Sequence, residues 1–240
     1  MSKNSPTDYY KLPTSLFTRL LVVVGKVIWL RKVIGKENID TSKPAVFTCN
    51  HGRTAGPCSA VVHLPVRFRP WINACMLNVE EATVTIKKTF RNRFNFIPLK
   101  LKNRIIPLAA KGICRLLNSF EPIPVYKGMP KESAGTIELS VDALMRGENL
   151  LIFPEKPKDH YDPESYKVFN TGFAALGKAL YDRAGQCLDF YPIWSDFKTH
   201  TFRIGKPVTY DPANEPHAEK VRISNELRDR MTELKDLCKK

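Results

Sequence analysis

The sequence lacks the features of a secreted or zinc-binding protein. Its six cysteines are scattered and form no Cys-x-x-Cys pair, which argues against a structural zinc site and a dense disulfide framework. We therefore expect no metal and a reduced setting such as the cytosol. The first residues lack the charged head, apolar run and small-residue cleavage site of a signal peptide, so secretion is not expected.

The sequence also has no apolar run long enough to span a bilayer. The most apolar stretch, residues 16–34, is interrupted by four basic residues, and its longest uncharged part is residues 20–25. A span needs roughly 20 apolar residues. The composition instead predicts a basic amphipathic helix, which either lies among lipid headgroups or packs against its own domain.

Several motifs of nucleophilic or nucleotide chemistry are missing. There is no Gly-x-Ser-x-Gly elbow and no glycine-rich phosphate loop of the Walker or dinucleotide type. Cys49 and His51 are close in sequence, but a turn follows the strand that carries Cys49, so a Cys/His pair is not indicated.

The chain has enough apolar residues to fold, and its charge is strongly basic. Its 240 residues are 43% hydrophobic and 10% aromatic, which excludes disorder and predicts one domain. The formal net charge is +14, and most of it lies in residues 82–120, which hold no acidic residue and nine basic ones. This segment could face nucleic acid, an anionic membrane, a phosphorylated substrate or solvent alone. Nucleic acid is the least favoured partner because no nucleic-acid-binding motif accompanies the charge.

Short apolar runs alternate with helix-length segments along the chain. This alternation predicts a single α/β domain in which helices flank a mixed β-sheet. The expected strands are residues 44–49, 68–74, 123–126, 149–153, 188–194 and 201–204, and the expected helices are residues 80–93, 107–118, 131–146, 171–183 and 216–237.

Three short segments place reactive side chains at the ends of predicted strands. His51 follows the first buried strand and precedes Gly52, so it is either a general base at the sheet edge or a structural histidine. Glu155 ends the strand Leu150-Leu151-Ile152-Phe153-Pro154 and is followed by lysines, as in a polar binding loop or a solvated turn. Lys127 ends a third such strand, with the same two interpretations.

Taken in order, these segments resemble the four blocks of the glycerolipid acyltransferases, the family of 1-acylglycerol-3-phosphate acyltransferases. Those blocks are Asn-His with an Asp five residues after the His, then Ile-Pro-Val-x-Arg, Phe-Pro-Glu-Gly-Thr-Arg and a Val-Pro-Val-like strand. Here they read Asn50-His51-Gly52-Arg53-Thr54-Ala55-Gly56, Ile123-Pro124-Val125-Tyr126-Lys127, Phe153-Pro154-Glu155-Lys156-Pro157-Lys158 and Tyr191-Pro192-Ile193.

The resemblance implies acyl transfer to a hydroxyl at a membrane surface. The donor would be an acyl-CoA or acyl-carrier-protein thioester, used as a co-substrate with no bound cofactor, and the acceptor a lysophospholipid or glycerol phosphate. His51 would be the general base, while the expected substrate-binding residues are Asn50, Arg53, Lys127, Glu155 and Lys158.

The composition of the N-terminal stretch and the resemblance together predict how the chain is organised. Residues 1–40 would form a membrane-associating helical segment and residues 41–240 the acyltransferase-like α/β domain. The protein would be peripheral, on the cytoplasmic face of an anionic membrane.

The chain departs from the family pattern at two places. Gly56 stands where the family has the Asp that would accept the imidazole N–H, and Lys156-Pro157 replaces Gly-Thr. A catalytically impaired protein that binds phospholipid or acyl donor is therefore the alternative.

Overall fold

The computed structural model describes residues 23–25, 30–52, 55–90, 99–126, 130–155 and 168–238. Within them, one mixed sheet has the strand order β1-β7-β6-β2-β5-β3-β4, with β8 paired to β6. The strands are β1 (Lys32–Ile34), β2 (Ala45–Cys49), β3 (Phe68–Asn73), β4 (Ile123–Val125), β5 (Asn149–Ile152), β6 (Asp189–Asp196), β7 (Thr201–Ile204) and β8 (Val208–Thr209).

Strand β2 lies at the centre of the sheet. It pairs in parallel with β5 on one side and with β6 on the other, and all five of its residues are buried. A strand buried on both faces needs the near-continuous apolar run that the sequence has here.

The parallel strands all end at one edge of the sheet, which we name the carboxyl edge. Strands β2, β3, β4, β5 and β6 end there. Strand β7 is antiparallel to β6 and β1 is parallel to β7, so these two strands begin at the same edge. Residues that follow β2 and β5, or precede β1, therefore lie at that edge.

Helices cover both faces of the sheet and bury its apolar side chains. The described helices are α1 (Ala55–His63), α2 (Val79–Phe90), α3 (Leu99–Asn118), α4 (Pro130–Met145), α5 (Ala175–Ala184) and α6 (Pro216–Asp236). Helices α4, α5 and α6 pack on one face, and α1 packs on the other, where its Ala60 belongs to one apolar cluster with Phe47, Tyr191 and Phe202. Helices α2 and α3 form a separate small core around Ala82, Ile106 and Ala110.

The predicted fold class is confirmed, with differences in four elements. All six expected strands are present, but β1, β8 and α1 were not predicted, and α3 begins at Leu99 rather than at Pro107. Pro107 lies inside α3 with an exposed side chain. On that side, water can satisfy the carbonyl that a proline leaves without a partner.

The predicted helix over residues 16–34 is wrong at its end. Residues 32–34 form β1, an edge strand paired with β7. The β-branched Val33 and Ile34 favour a strand, and Gly35 ends it with a positive φ of 85°. A Cβ at Gly35 would lie 2.0 Å from the carbonyl oxygen of Ile204, so only glycine allows this close approach.

Residues 23–25 are helical, whereas residues 16–22 and 26–29 of the predicted helix lie outside the described residues. Across the described part of the chain, no helix combines the length and the apolar character that crossing a membrane requires.

Candidate active site

His51 stands directly beyond the carboxyl end of β2 and is exposed. The preceding residue, Asn50, is buried, and its amide holds this end of β2 against β6. Asn50 Nδ2 donates to the carbonyl of Ser195 at 3.1 Å, and Asn50 Oδ1 accepts from the Ser195 N–H at 2.7 Å. The amide therefore fixes the backbone that carries His51, whereas its expected role in substrate binding stays a prediction.

Glu155 reaches His51 from the neighbouring strand. The His51 backbone N–H donates to Glu155 Oε1 at 3.0 Å, across 104 residues of sequence. The Phe153 ring lies edge-on to the imidazole, with ring centroids 5.3 Å apart. Because β2 and β5 are adjacent and parallel, the residues after both strands meet at the carboxyl edge.

The segment that carries Glu155 is itself held by the returning chain. Glu155 forms an antiparallel bridge with Phe169, and the Asn170 N–H donates to the carbonyl of Pro154 at 2.8 Å. The Glu155 side chain is only partly buried. The returning chain therefore fixes the position of the carboxylate that accepts from the His51 backbone.

Gly56 lies in the first turn of α1, against the backbone of Asn50 and His51. Its N–H donates to the carbonyl of His51 at 3.1 Å. A Cβ at this position would lie 1.8 Å from the carbonyl oxygen of Asn50 and 2.9 Å from that of His51. The backbone thus requires glycine at position 56, and no aspartate fits there without moving the turn.

Cys49 is not a nucleophile in this arrangement. Its side chain is fully buried, and burial, reinforced by the charge of Glu155, raises the pKa of the thiol far above its usual value. The thiolate is the reactive form of cysteine. The burial agrees with the expectation from sequence that Cys49 and His51 form no catalytic pair.

The fourth block of the resemblance forms part of the core. Tyr191 stacks on Phe47 with ring centroids 5.1 Å apart, and its hydroxyl accepts from the Asp40 N–H at 2.9 Å. Pro192 pairs with Thr48 in the register of β6 and β2. This block supports the strand behind His51 rather than contributing a reactive group.

Three predicted site residues, Arg53, Lys127 and Lys158, lie outside the described residues, as do Lys156 and Pro157. Their roles stay predictions. No group of three or more histidine, cysteine or acidic side chains that could bind a metal occurs among the residues with described positions.

One residue at the carboxyl edge was missed by sequence reasoning. Arg31 precedes β1 and is 7% exposed, although its place in a predicted amphipathic helix indicated a charge facing lipid or water. A three-residue strand gives too short a pattern to identify from sequence.

Comparison with known proteins finds a likeness in structure but none in sequence. No protein-family model and no curated protein sequence matches the chain. Among solved structures, the chain is similar to the 1-acyl-sn-glycerophosphate (LPA) acyltransferase PlsC from Thermotoga maritima, with 13% identity and a TM-score of 0.49. The likeness covers 90% of this chain and 79% of that one. At this level it carries no conclusion about chemistry.

Proposed function

We propose that the chain is an acyltransferase with His51 as its general base. It would transfer a fatty acyl group from an acyl-CoA or acyl-carrier-protein thioester to a hydroxyl of a lysophospholipid or glycerol-phosphate acceptor. The observation that carries the proposal is the hydrogen bond from the His51 backbone to Glu155, because it joins the His and Glu blocks of the acyltransferase resemblance at one sheet edge.

The reaction needs one proton acceptor at the hydroxyl. The His51 imidazole takes the acceptor's hydroxyl proton while the oxygen attacks the thioester carbonyl carbon. The tetrahedral intermediate then collapses, the carbon–sulfur bond breaks, and the imidazolium returns the proton to the departing sulfur. The products are the acyl ester and a free thiol, so atoms and charge balance.

Glu155 takes the electrostatic role for which the family pattern has an aspartate. Its carboxylate lies next to His51, whereas position 56 has no room for a side chain. A negative charge near the imidazolium stabilises the state formed during attack. By the resemblance Glu155 also contacts the acceptor, and Lys127 and Lys158 hold the acceptor's phosphate.

A membrane contact for this reaction is proposed through α3. One side of this helix exposes Leu101, Ile105 and Leu108, of which Leu108 is 73% exposed. Spacings of four and three residues place these side chains on one stripe. The exposed Arg104, Lys111 and Arg115 lie along its flank, so the helix offers both the apolar and the cationic contacts that anionic headgroups favour.

The alternative is a catalytically impaired protein that binds phospholipid or acyl donor in the same place. Gly56 is the observation that favours it, because the imidazole cannot have a carboxylate partner at that position. The two candidates differ in turnover rather than in binding.

Acyl transfer to lysophosphatidic acid from acyl-CoA and acyl-carrier-protein donors separates them. We expect wild type to transfer the acyl group and His51→Ala to lose at least about a hundredfold in kcat. His217→Ala is the matched control, because His217 is exposed on α6, whose start lies at the opposite edge of the sheet. Equal transfer by wild type and His51→Ala would contradict the general base, and no transfer by wild type would support the binding protein.

Glu155→Gln tests the carboxylate separately. The amide oxygen still accepts the His51 N–H, so folding is expected to persist while the charge is lost. We expect kcat to fall about tenfold or more with little change in Tm. Unchanged kcat would contradict the electrostatic role.

A further inference from the structure

A buried arginine at the carboxyl edge has hydrogen-bond donors that the protein does not use. Arg31 precedes β1, which begins at this edge, and its side chain reaches toward the end of β6. Arg31 Nη1 donates to the carbonyl oxygen of Asp196, and the guanidinium lies 4.8 Å from the centre of the Phe197 ring. Asp196 follows Ser195, whose backbone N–H and carbonyl are both bound by the amide of Asn50, the residue before His51.

The remaining donors of Arg31 are buried without acceptors. Nε and Nη2 have no hydrogen-bond partner within the described part of the chain. Burial lowers the pKa of the guanidinium, and the charge of Asp196 offsets this only in part. The Asp196 carboxylate is instead bound to the N–H groups of Lys198 and Thr199, each at 2.8 Å. A buried charge with unmade hydrogen bonds is costly, so these donors favour binding of an anionic acceptor.

A second unused polar group lies on the same face of the sheet. Ser195 Oγ is buried and also has no partner among the described residues. Alternation along β6 puts Ser195 on the face of Ile193 and Tyr191, and alternation along β1 puts Arg31 on the face of Val33. Ile193 and Tyr191 belong to the cluster that includes Cys49, and Val33 packs against this cluster. Arginine and serine therefore share one face and one edge.

We propose that Arg31, assisted by the Ser195 hydroxyl, binds the phosphate group of a substrate beside His51. Nε and Nη2 form the side of a guanidinium that donates two parallel hydrogen bonds to two oxygens of one phosphate. A phosphate dianion supplies both acceptors and the opposite charge, and it also accepts from a hydroxyl. This inference adds a binding site to the proposed function. It rests on that function only in assigning the phosphate to a substrate.

The phosphate could belong to the acceptor or to the coenzyme A of the donor. Thermal unfolding of the full chain with inorganic phosphate, glycerol 3-phosphate or coenzyme A distinguishes these sources without requiring turnover. At about 100 times Kd, a ligand of the folded state is expected to raise the wild-type Tm by on the order of 5 °C. A shift by glycerol 3-phosphate assigns the site to the acceptor, and a shift by coenzyme A alone assigns it to the donor.

Arg31→Met and Arg31→Lys are the informative variants. Methionine removes an unpaired buried charge, so we expect the ligand-free variant to fold with an equal or higher Tm and to lose the ligand-induced shift. Lysine keeps the charge without the planar pair of donors and is expected to weaken binding at least tenfold. Ser195→Ala should reduce the shift in part. Arg67→Met, which removes a half-exposed arginine before β3 at the opposite edge, should keep the full shift.

The result that would overturn the site is the same Tm shift in Arg31→Met as in wild type, or no shift in wild type with any of the three ligands. A shift that depends on Arg31 in a protein without acyl transfer would leave the phosphate site standing while removing the proposed function.

Discussion

At the scale of single residues, Gly56 shows how a motif position can be fixed by packing. Gly56 stands where the acyltransferase pattern has aspartate, so Gly56→Asp would restore the family pattern in sequence. The carbonyl of Asn50 occupies the space that a Cβ needs, and the Gly56 N–H is bound to the carbonyl of His51. Adding a side chain therefore displaces the residue that it was meant to assist.

We predict that Gly56→Ala and Gly56→Asp both lower stability and transfer activity. A 1.8 Å contact with backbone forces the turn to move, and strain of this kind costs on the order of 2 kcal/mol or more. Thermal unfolding and the transfer assay measure the two effects. The matched control is Gly135→Ala in α4, where nothing lies within 4 Å of an added Cβ and a small gain in stability is expected. Higher activity in Gly56→Asp would contradict the prediction.

At the scale of elements, α3 differs from the other described helices in what it leaves uncovered. Its buried side packs on α2 through Ile106, Ala110 and Cys114. Its opposite side exposes the apolar stripe and basic flank described above. The acid-free stretch recognised in the sequence thus includes one helix with two distinct sides.

We predict that the double change Ile105→Ser and Leu108→Ser weakens binding to vesicles that contain anionic lipid. Charge reversal at Lys111 and Arg115 should weaken it about tenfold or more, because each cation contributes roughly 1 kcal/mol near such a surface. Vesicle co-sedimentation at low and high salt measures both effects. Leu139→Ser is a matched control, since Leu139 is as exposed as Ile105 but lies on α4. Unchanged sedimentation of both sets of variants would mean that this side of α3 faces only solvent.

At the scale of the whole molecule, α6 packs on the core and also binds the loop that precedes it. Its Ile223, Leu227 and Met231 are fully buried. Near its start, the buried Glu219 accepts hydrogen bonds from the Asp211 N–H, the Asn214 amide and the Arg222 guanidinium. Burial alone would raise the pKa of Glu219, but these bonds lower it to about 2.

We predict that Glu219 contributes to stability at neutral pH and loses this contribution in acid. The folded pKa of about 2 is below the ordinary value of 4.5, so the contribution is complete above pH 4.5 and disappears as pH falls toward 2. The contribution of Glu219 to the free energy of unfolding is on the order of 3 kcal/mol. Urea unfolding of wild type and Glu219→Gln from pH 7 to pH 3 should give converging free energies of unfolding. Glu233→Gln, an exposed site on the same helix, should change little. A constant difference between wild type and Glu219→Gln would contradict the linkage.

The sequence by itself determined the elements whose signals are local. Apolar runs predicted β2 and β5, and the stripe of Leu227, Met231 and Leu234 predicted α6, because periodicity and burial coincide there. It also placed His51 and Glu155 after their strands. The position of a strand end is a local property of the chain.

Only the tertiary structure decided which of these ends meet. The contact between His51 and Glu155 depends on β2 and β5 being neighbours, a pairing across about 100 residues that no local pattern specifies. The crowding at Gly56 likewise comes from the path of the turn, and the burial of Arg31 from the pairing of β1 with β7. Residue type shows what chemistry a side chain can perform, whereas neighbours distant in sequence set its charge environment, its free space and its partners.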